Sequence, residues 1–188
     1  VLRRRLCDLG WFMRCLNEPI ARRANYEDQC KGRFWEGRYK ARALLDDHAV
    51  LAAMAYVDLN PIRSGITDRL DRSSHTSIQA RLRRLDTAPD TAAQTLPPVA
   101  GVRSTLHALS EAHYIELVDW TGRELRPGKR GAIPKAAPNA LHRLGIRPDR
   151  WPLQVKATGS GYWRAIGSAQ SLLDQAAALG QQWMRGIG

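Results

Sequence analysis

The sequence predicts the α+β class, with an α+β domain in residues 1–86, a linker in residues 87–102 and a mainly helical accessory region in residues 103–188. The first observation is an alternating pattern of side chains near residue 40, which is typical of a β-strand. The second is a recurrence of apolar residues at intervals of three and four in several other stretches, which is typical of amphipathic helices. The third is the run TAPDTAAQTLPPVAGV, which lacks both periods and is rich in Ala, Pro and Thr, so it favours a linker.

Composition narrows the functional classes. The 188 residues include 29 Lys and Arg against 18 Asp and Glu, a net charge of +11 that favours a polyanionic partner, nucleic acid before membrane. An arginine-rich genome would give the same excess. No apolar run reaches the roughly 18 residues of a membrane span, so no membrane association is expected. The three cysteines have no metal-ligand spacing and are interpreted as reduced thiols of a cytoplasmic protein.

The first predicted element is a helix from Val1 to about Asn25. Its apolar stripe recurs at helical spacing and consists of Leu2, Leu6, Leu9, Met13, Leu16 and Ile20. Pro19 is expected to kink or divide this helix near Asn17, because proline lacks the amide hydrogen that the helix needs.

A strand is predicted next, from about Arg33 to Leu45. One face is predicted to hold Trp35, Tyr39, Ala41 and Ala43, and the other Glu36, Arg38, Lys40 and Arg42. Strand geometry separates these cations by about 7 Å, a spacing that suits the phosphates of a nucleic-acid backbone. A row of solvated charges would have the same pattern.

The helix that follows contains the candidate catalytic residue. Its apolar face is expected to hold Val50, Ala53, Met54 and Val57, while Asp46 or Asp47 caps its first turn. Pro61 should end the regular helix near Leu59, because the residue before a proline avoids helical geometry.

Tyr56 and Asn60 lie on the flank of this helix. They are four residues apart, just over one helical turn, and therefore share a face. Arg63 follows in a turn, within reach of a phosphate bound at that face. The alternative interpretation of Tyr56 is a half-buried tyrosine that packs its ring and leaves its hydroxyl in water.

The remaining elements are predicted to be helical. Ser73, Ser74 or Thr76 can cap a helix that runs to Leu85. Further helices are expected in about 105–119, 139–144 and 168–184, each from apolar residues at helical spacing.

One loop in the accessory region is strongly basic. The run RELRPGKRGAIPK is rich in Gly and Pro and contains Arg126, Lys129 and Arg130. These cations could embrace the phosphates of a DNA hairpin, or the loop could be an exposed basic turn without a partner.

Two runs, WEGRYKA and AMAYVDLNPIRSG, resemble the REP-associated tyrosine transposases of the HUH single-strand DNA transposase class. The resemblance implies a ferredoxin-like HUH nuclease domain, of which this chain would hold a strand and the tyrosine helix. It implies that Tyr56 attacks a DNA phosphate and that Asn60 helps to hold Mg²⁺ or Mn²⁺. The implied activity is nicking and strand transfer on single-stranded or hairpin DNA through a 5′-phosphotyrosine, at the nucleoid, with a homodimer left open.

The sequence departs from the family at one important point. The other metal ligands of the family are two histidines that flank a single apolar residue, and none of the five histidines here has that arrangement. The chain is therefore expected to be either a piece of a longer transposase or a variant without the metal site, and to be inactive on its own. The alternative function is a non-catalytic DNA-binding remnant of a domesticated transposase, and a third is an RNA-binding helical module.

Overall fold

The computed structural model describes residues 2–97, 109–125, 136–160 and 164–185, with only the backbone of Leu2. It mixes helix and strand, with helix predominating, which confirms the α+β class at this level. The chain forms two compact units, Val1–Ala41 and Arg42–Gly188.

The first unit contains two helices, α1 (Leu2–Leu6) and α2 (Leu9–Glu27). The break between them falls at Asp8, whose carboxylate accepts a hydrogen bond of 3.0 Å from the amide of Trp11 and so caps α2. Pro19 lies inside α2, so the prediction of a division near Asn17 is wrong. The capping side chain, rather than the proline, decides where the helix begins.

The long strand predicted from Arg33 to Leu45 is not formed. Its only strand residues are Ala43–Leu44, which we call β1. In the preceding segment the Trp35 indole donates a hydrogen bond of 3.1 Å to the carbonyl of Asn17 on α2. A strand needs a partner for its backbone groups, and the described residues provide none for 33–42. The evenly spaced cation row expected from strand geometry is therefore absent from this segment.

The second unit is built on a short parallel sheet. β1 pairs with β2 (Ala165–Ile166), with Ala43 opposite Ala165 and Leu44 opposite Ile166. Each strand leads directly into a helix, α3 (Asp47–Asp58) after β1 and α9 (Ala169–Ala178) after β2. The starts of two helices that are distant in sequence are consequently brought together.

Asp46 joins these two helix starts. Its carboxylate caps α3 by accepting from the Ala49 amide at 2.9 Å, and it also accepts from the Ser168 amide at 2.5 Å and the Ser171 hydroxyl at 3.1 Å. Burial would raise the pKa of Asp46, but these hydrogen bonds outweigh burial and hold the pKa below its ordinary value. The predicted cap is confirmed, with Asp46 rather than Asp47 in this role.

Five further helices complete this unit: α4 (Asn60–Arg63), α5 (Ser77–Thr87), α6 (Glu111–Glu124), α7 (Asn139–Arg143) and α8 (Trp151–Gly159) in the described ranges. Thr76 caps α5, one of the three residues expected there. Ser110 caps α6, so this helix starts later than the predicted 105–119 and continues through Glu124. The predicted 168–184 helix ends early, before Gly180 with its positive φ of 66°.

One apolar core connects α3, α5, α6, α7 and α8. Its largest fully buried members are Leu51, Leu59, Ile78, Leu96, Leu109, Tyr114, Leu117, Leu141 and Trp151. This set includes residues on both sides of the predicted linker and Leu96 within it, whose amide bonds the carbonyl of Leu109 at 2.9 Å. Leu96 therefore anchors the described part of residues 87–102 to the core, although most of the other side chains there are exposed. None of the helices in the described ranges is long and apolar enough to cross a membrane.

Candidate active site

Helix α3 is fixed in the core by residues other than those expected. Leu51, Ala52 and Ala55 are fully buried, whereas Val57 is 61% exposed. The prediction that the buried face of α3 is centred on Val50 is therefore wrong. Because alanine side chains are small, neighbouring helices can approach α3 closely on the side of Ala52 and Ala55. The buried face is therefore this side, and not the predicted stripe of larger residues.

Tyr56 lies at the edge of the core, half-buried and in contact with Gly159 at the end of α8. A Cβ atom added at Gly159 would come within 2.6 Å of Tyr56 Cε2 and 2.8 Å of its hydroxyl oxygen. These distances are far below van der Waals contact, so only a glycine leaves room for the phenol in this position. The predicted flank position of Tyr56 agrees with this partial burial.

Arg63 covers the open face of the Tyr56 ring. Its guanidinium carbon lies 4.2 Å from the ring centroid, which is a cation–π contact. Arg63 is itself exposed, so its N–H groups can reach a ligand in solvent while its plane rests on the phenol. The sequence placed Arg63 near a bound phosphate, and the structure places it against the candidate nucleophile.

Asn60 is exposed on the turn that follows. The regular helix ends at Asp58, and Leu59 is the C-cap with φ −85° and ψ −6°, as the position of Pro61 predicts. Because Leu59 retains right-handed helical angles, the chain continues directly into α4 and Asn60 becomes its first residue. Within the described residues its side-chain amide makes no hydrogen bond and is available to a ligand.

Asp58 is a functional candidate that the sequence reasoning missed. It is 1% exposed, and its carboxylate accepts from the Ser77 hydroxyl at 2.8 Å, the Ile78 amide at 3.0 Å and the Tyr114 hydroxyl at 2.7 Å. It therefore binds the end of α3 to the start of α5 and to α6. An acidic residue between Val57 and Leu59, in an otherwise apolar helix, was the available signal.

The Asp58 network also fixes the protonation of Tyr114. Burial is the largest cause that raises the pKa of Tyr114 well above its ordinary value, and the neighbouring Asp58 charge raises it further. Tyr114 is consequently a neutral hydrogen-bond donor at physiological pH. Its role is structural support for the helix that carries Tyr56.

Two arginines of α5 bind an acidic residue of α6. Arg81 forms a buried ion pair with Glu111, and its guanidinium carbon lies 5.0 Å from the centroid of the Tyr114 ring. Arg84 approaches the same carboxylate at 3.7 Å. These two arginines stabilise the packing of α5 on α6.

The other residues predicted to contact DNA lie in different environments. Arg42 is turned inward, where its guanidinium donates to the carbonyls of Thr158 and Ser160 and so satisfies the end of α8. Arg38 and Lys40 are exposed in the first unit, outside any strand. The basic loop residues Arg126, Lys129 and Arg130 lie outside the described residues.

A complete metal site is not found in the described part of the chain. It contains no group of three or more His, Cys, Asp and Glu side chains that could hold a metal ion. The carboxylate nearest to Asn60 in sequence, Asp58, is already bound by three donor groups. Mg²⁺ and Mn²⁺ bind through several oxygen ligands, so the divalent metal that the resemblance implies at Asn60 stays a prediction.

Comparison with known proteins does not identify the chain. No family model matches it, and neither the curated proteins nor the solved structures include a significant match. The resemblance to tyrosine transposases accordingly stays a prediction from the two sequence motifs.

Proposed function

We propose that this chain is the tyrosine-bearing part of a single-strand DNA transposase with a ferredoxin-like HUH nuclease domain. The observation that supports this most is the cation–π contact between Tyr56 and Arg63 at the end of helix α3. Asn60 follows Tyr56 by four positions and is exposed, and its side-chain amide makes no hydrogen bond among the described residues. The substrate would be single-stranded or hairpin DNA, and the protein would act at the nucleoid.

Tyr56 would act as the nucleophile. Its oxygen forms a bond to the phosphorus, the bond from phosphorus to the 3′ oxygen breaks, and the leaving oxygen takes a proton as the phenol loses one. The products are a 5′-phosphotyrosine and a free 3′-hydroxyl. Attack of a second 3′-hydroxyl on the phosphotyrosine reverses these bond changes and rejoins the strand without ATP.

Arg63 would support this reaction by its charge. A phenol is a poor nucleophile at neutral pH, and the Arg63 guanidinium is held 4.2 Å from the centroid of the Tyr56 ring, next to the attacking group. The same guanidinium can donate hydrogen bonds to the phosphate oxygens, which gain charge during attack. Asp58 and Tyr114 would act at a distance by holding the end of α3 still.

The metal-dependent part of the family mechanism is not assigned to described residues. The described residues include no group of three or more metal-ligating side chains, so a bound metal would need ligands besides Asn60. We propose instead that the 188-residue chain binds DNA but does not cleave it without the histidine pair of the family.

A non-catalytic DNA-binding remnant is the second candidate. It is favoured by the net charge of +11 and by the exposed Arg38, Lys40 and Arg63. It predicts hairpin binding that is independent of the Tyr56 hydroxyl, whereas the transposase function requires that hydroxyl for cleavage.

The experiment is a cleavage assay on an end-labelled DNA hairpin with its single-stranded flanks, using protein expressed from the complete reading frame. The transposase function predicts cleavage that Tyr56→Phe abolishes and Tyr26→Phe leaves unchanged. Tyr26 is a matched control because it is 84% exposed and lies in α2. Hairpin binding without any cleavage would favour the DNA-binding remnant.

A further inference from the structure

A cavity of about 740 Å³ lies in the second unit, beside the start of α9 and along α8. This volume is within the range of roughly 300–1,000 Å³ that small-molecule sites occupy. Its lining includes residues of α8, of the segment before α8 and of the β2–α9 junction, among them Arg147, Arg150, Leu153, Gln154, Lys156 and Ile166.

The cavity combines an apolar wall with a basic rim. Ile166 is 2% exposed, while Leu153 is 55% exposed although it is a large apolar side chain. Arg147, Arg150 and Lys156 are exposed cations in the same lining. Such a lining suits a ligand that has one flat, weakly polar part and one anionic part.

A buried acceptor in the lining has no partner. The side-chain oxygen of Gln154 is buried and accepts no hydrogen bond from any described residue. Buried polar atoms are nearly always hydrogen-bonded, so an orphan acceptor at a cavity wall is well suited to an N–H donor of a ligand.

The rim of the cavity is positively charged although two acidic side chains lie near it. Asp149 pairs with Arg147 at 2.7 Å, and Asp46 lies against Ser168 at the start of α9. Each carboxylate contacts a residue of the lining, but the lining itself contains the cations and no acidic side chain.

We propose that this cavity binds a nucleotide, with its base against Leu153 and Ile166 and its phosphate at the basic rim. Every DNA base has an N–H group on its pairing edge that can donate to the Gln154 oxygen. The choice of a nucleotide over other anions rests on the proposed function, because Ser160 in the lining directly follows Gly159, which contacts Tyr56. The cavity would hold an unstacked nucleotide close to the attacked phosphate.

The test is a titration of the full chain with deoxyadenosine 5′-monophosphate, followed by NMR of leucine methyl and glutamine amide groups. The proposal expects the Leu153 and Gln154 signals to shift together with saturable binding. Leu153→Glu should weaken binding by a factor on the order of ten or more, because it replaces the apolar surface against the base with a charged side chain and brings a negative charge into a site for an anion. Leu179→Glu is the matched control, since Leu179 is also 55% exposed but lies outside the lining.

Competition distinguishes the possible sources of the nucleotide. If a short single-stranded oligonucleotide displaces the free nucleotide from wild-type protein, the cavity holds a nucleotide within a strand. If the free nucleotide binds with the expected shifts and the oligonucleotide does not compete, the cavity is a site for free nucleotide. Either result supports the nucleotide pocket.

Other results would overturn the proposal. These are an absence of nucleotide-dependent shifts, shifts that map away from Leu153 and Gln154, or equal losses of binding in the two Glu variants. Tyr56-dependent cleavage that persists in Leu153→Glu with unchanged nucleotide preference would refute the pocket and leave the proposed function standing. Absence of cleavage by wild-type protein from the complete reading frame, with intact nucleotide binding, would support the pocket and contradict the proposed function.

Discussion

The hydrogen bond between Asp58 and Tyr114 should contribute strongly to the stability of the helix that presents Tyr56. The donor and acceptor oxygens are 2.7 Å apart, Tyr114 is fully buried and Asp58 is 1% exposed. A hydrogen bond to a charged group contributes about 1.5–3 kcal/mol. Tyr114→Phe removes only the hydroxyl, so it should lower the free energy of unfolding by about that amount.

The Asp58→Ala variant should cost more. It leaves the Tyr114 hydroxyl and the Ile78 amide buried without their acceptor, and loss of one partner from a buried charged network costs about 3–5 kcal/mol. In the double variant Tyr114→Phe has already removed the buried hydroxyl, so the loss of its acceptor adds no further cost there. The two single losses should therefore exceed the loss in the double variant by about 1.5–3 kcal/mol.

Urea denaturation followed by tryptophan fluorescence measures these differences. Trp151 is fully buried in the same core, so its emission reports on this region. Tyr26→Phe is the control, because a change at an 84% exposed side chain should alter stability by less than about 0.5 kcal/mol. Additive losses, with a coupling below about 0.5 kcal/mol, would refute the role assigned to this hydrogen bond.

Three further predictions concern the site and its supports. Gly159→Ala should displace the Tyr56 ring and reduce cleavage by the protein from the complete reading frame by about 100-fold, because reacting groups lose their alignment; unchanged cleavage would contradict this. Arg63→Gln should weaken single-stranded DNA binding and lower the slope of log affinity against log salt concentration by about one phosphate contact. The control Arg72→Gln changes another exposed arginine, and it should leave the affinity and this slope nearly unchanged; equal effects of the two changes would contradict the role of Arg63. The lowered pKa of Asp46 stabilises the fold above the ordinary value of 3.8, and this contribution is lost as pH falls through the lowered value. Between these two values the free energy of unfolding should therefore fall less steeply with falling pH in Asp46→Asn than in the wild type, and identical slopes would argue against the cap.

Features set by local chemistry were predicted well from the sequence. The start of α3 at Asp46, its end before Pro61 and the short α7 helix near Asn139 depend on capping groups and on proline within a few residues. The shared face of Tyr56 and Asn60 stays a prediction from helical spacing, because α3 ends at Asp58 and Asn60 begins α4.

Features set by distant partners were not predictable in the same way. The alternation in residues 33–42 is compatible with a strand, but a strand forms only where another strand pairs with it, and β1 pairs with Ala165–Ile166. The packing of Leu96 into the core and the contact of Gly159 with Tyr56 also join residues far apart in sequence. Periodicity contains no information about these pairings.

The central claim, that Tyr56 is a nucleophile for DNA, is tested most directly by mapping a covalent adduct. Protein from the complete reading frame is incubated with a DNA hairpin, the denatured complex is digested, and the modified peptide is sequenced by mass spectrometry. Our account predicts a nucleotide joined through its 5′ phosphate to the hydroxyl of Tyr56, and no adduct in Tyr56→Phe. An adduct on another residue, or none under conditions in which the hairpin is bound, would contradict it.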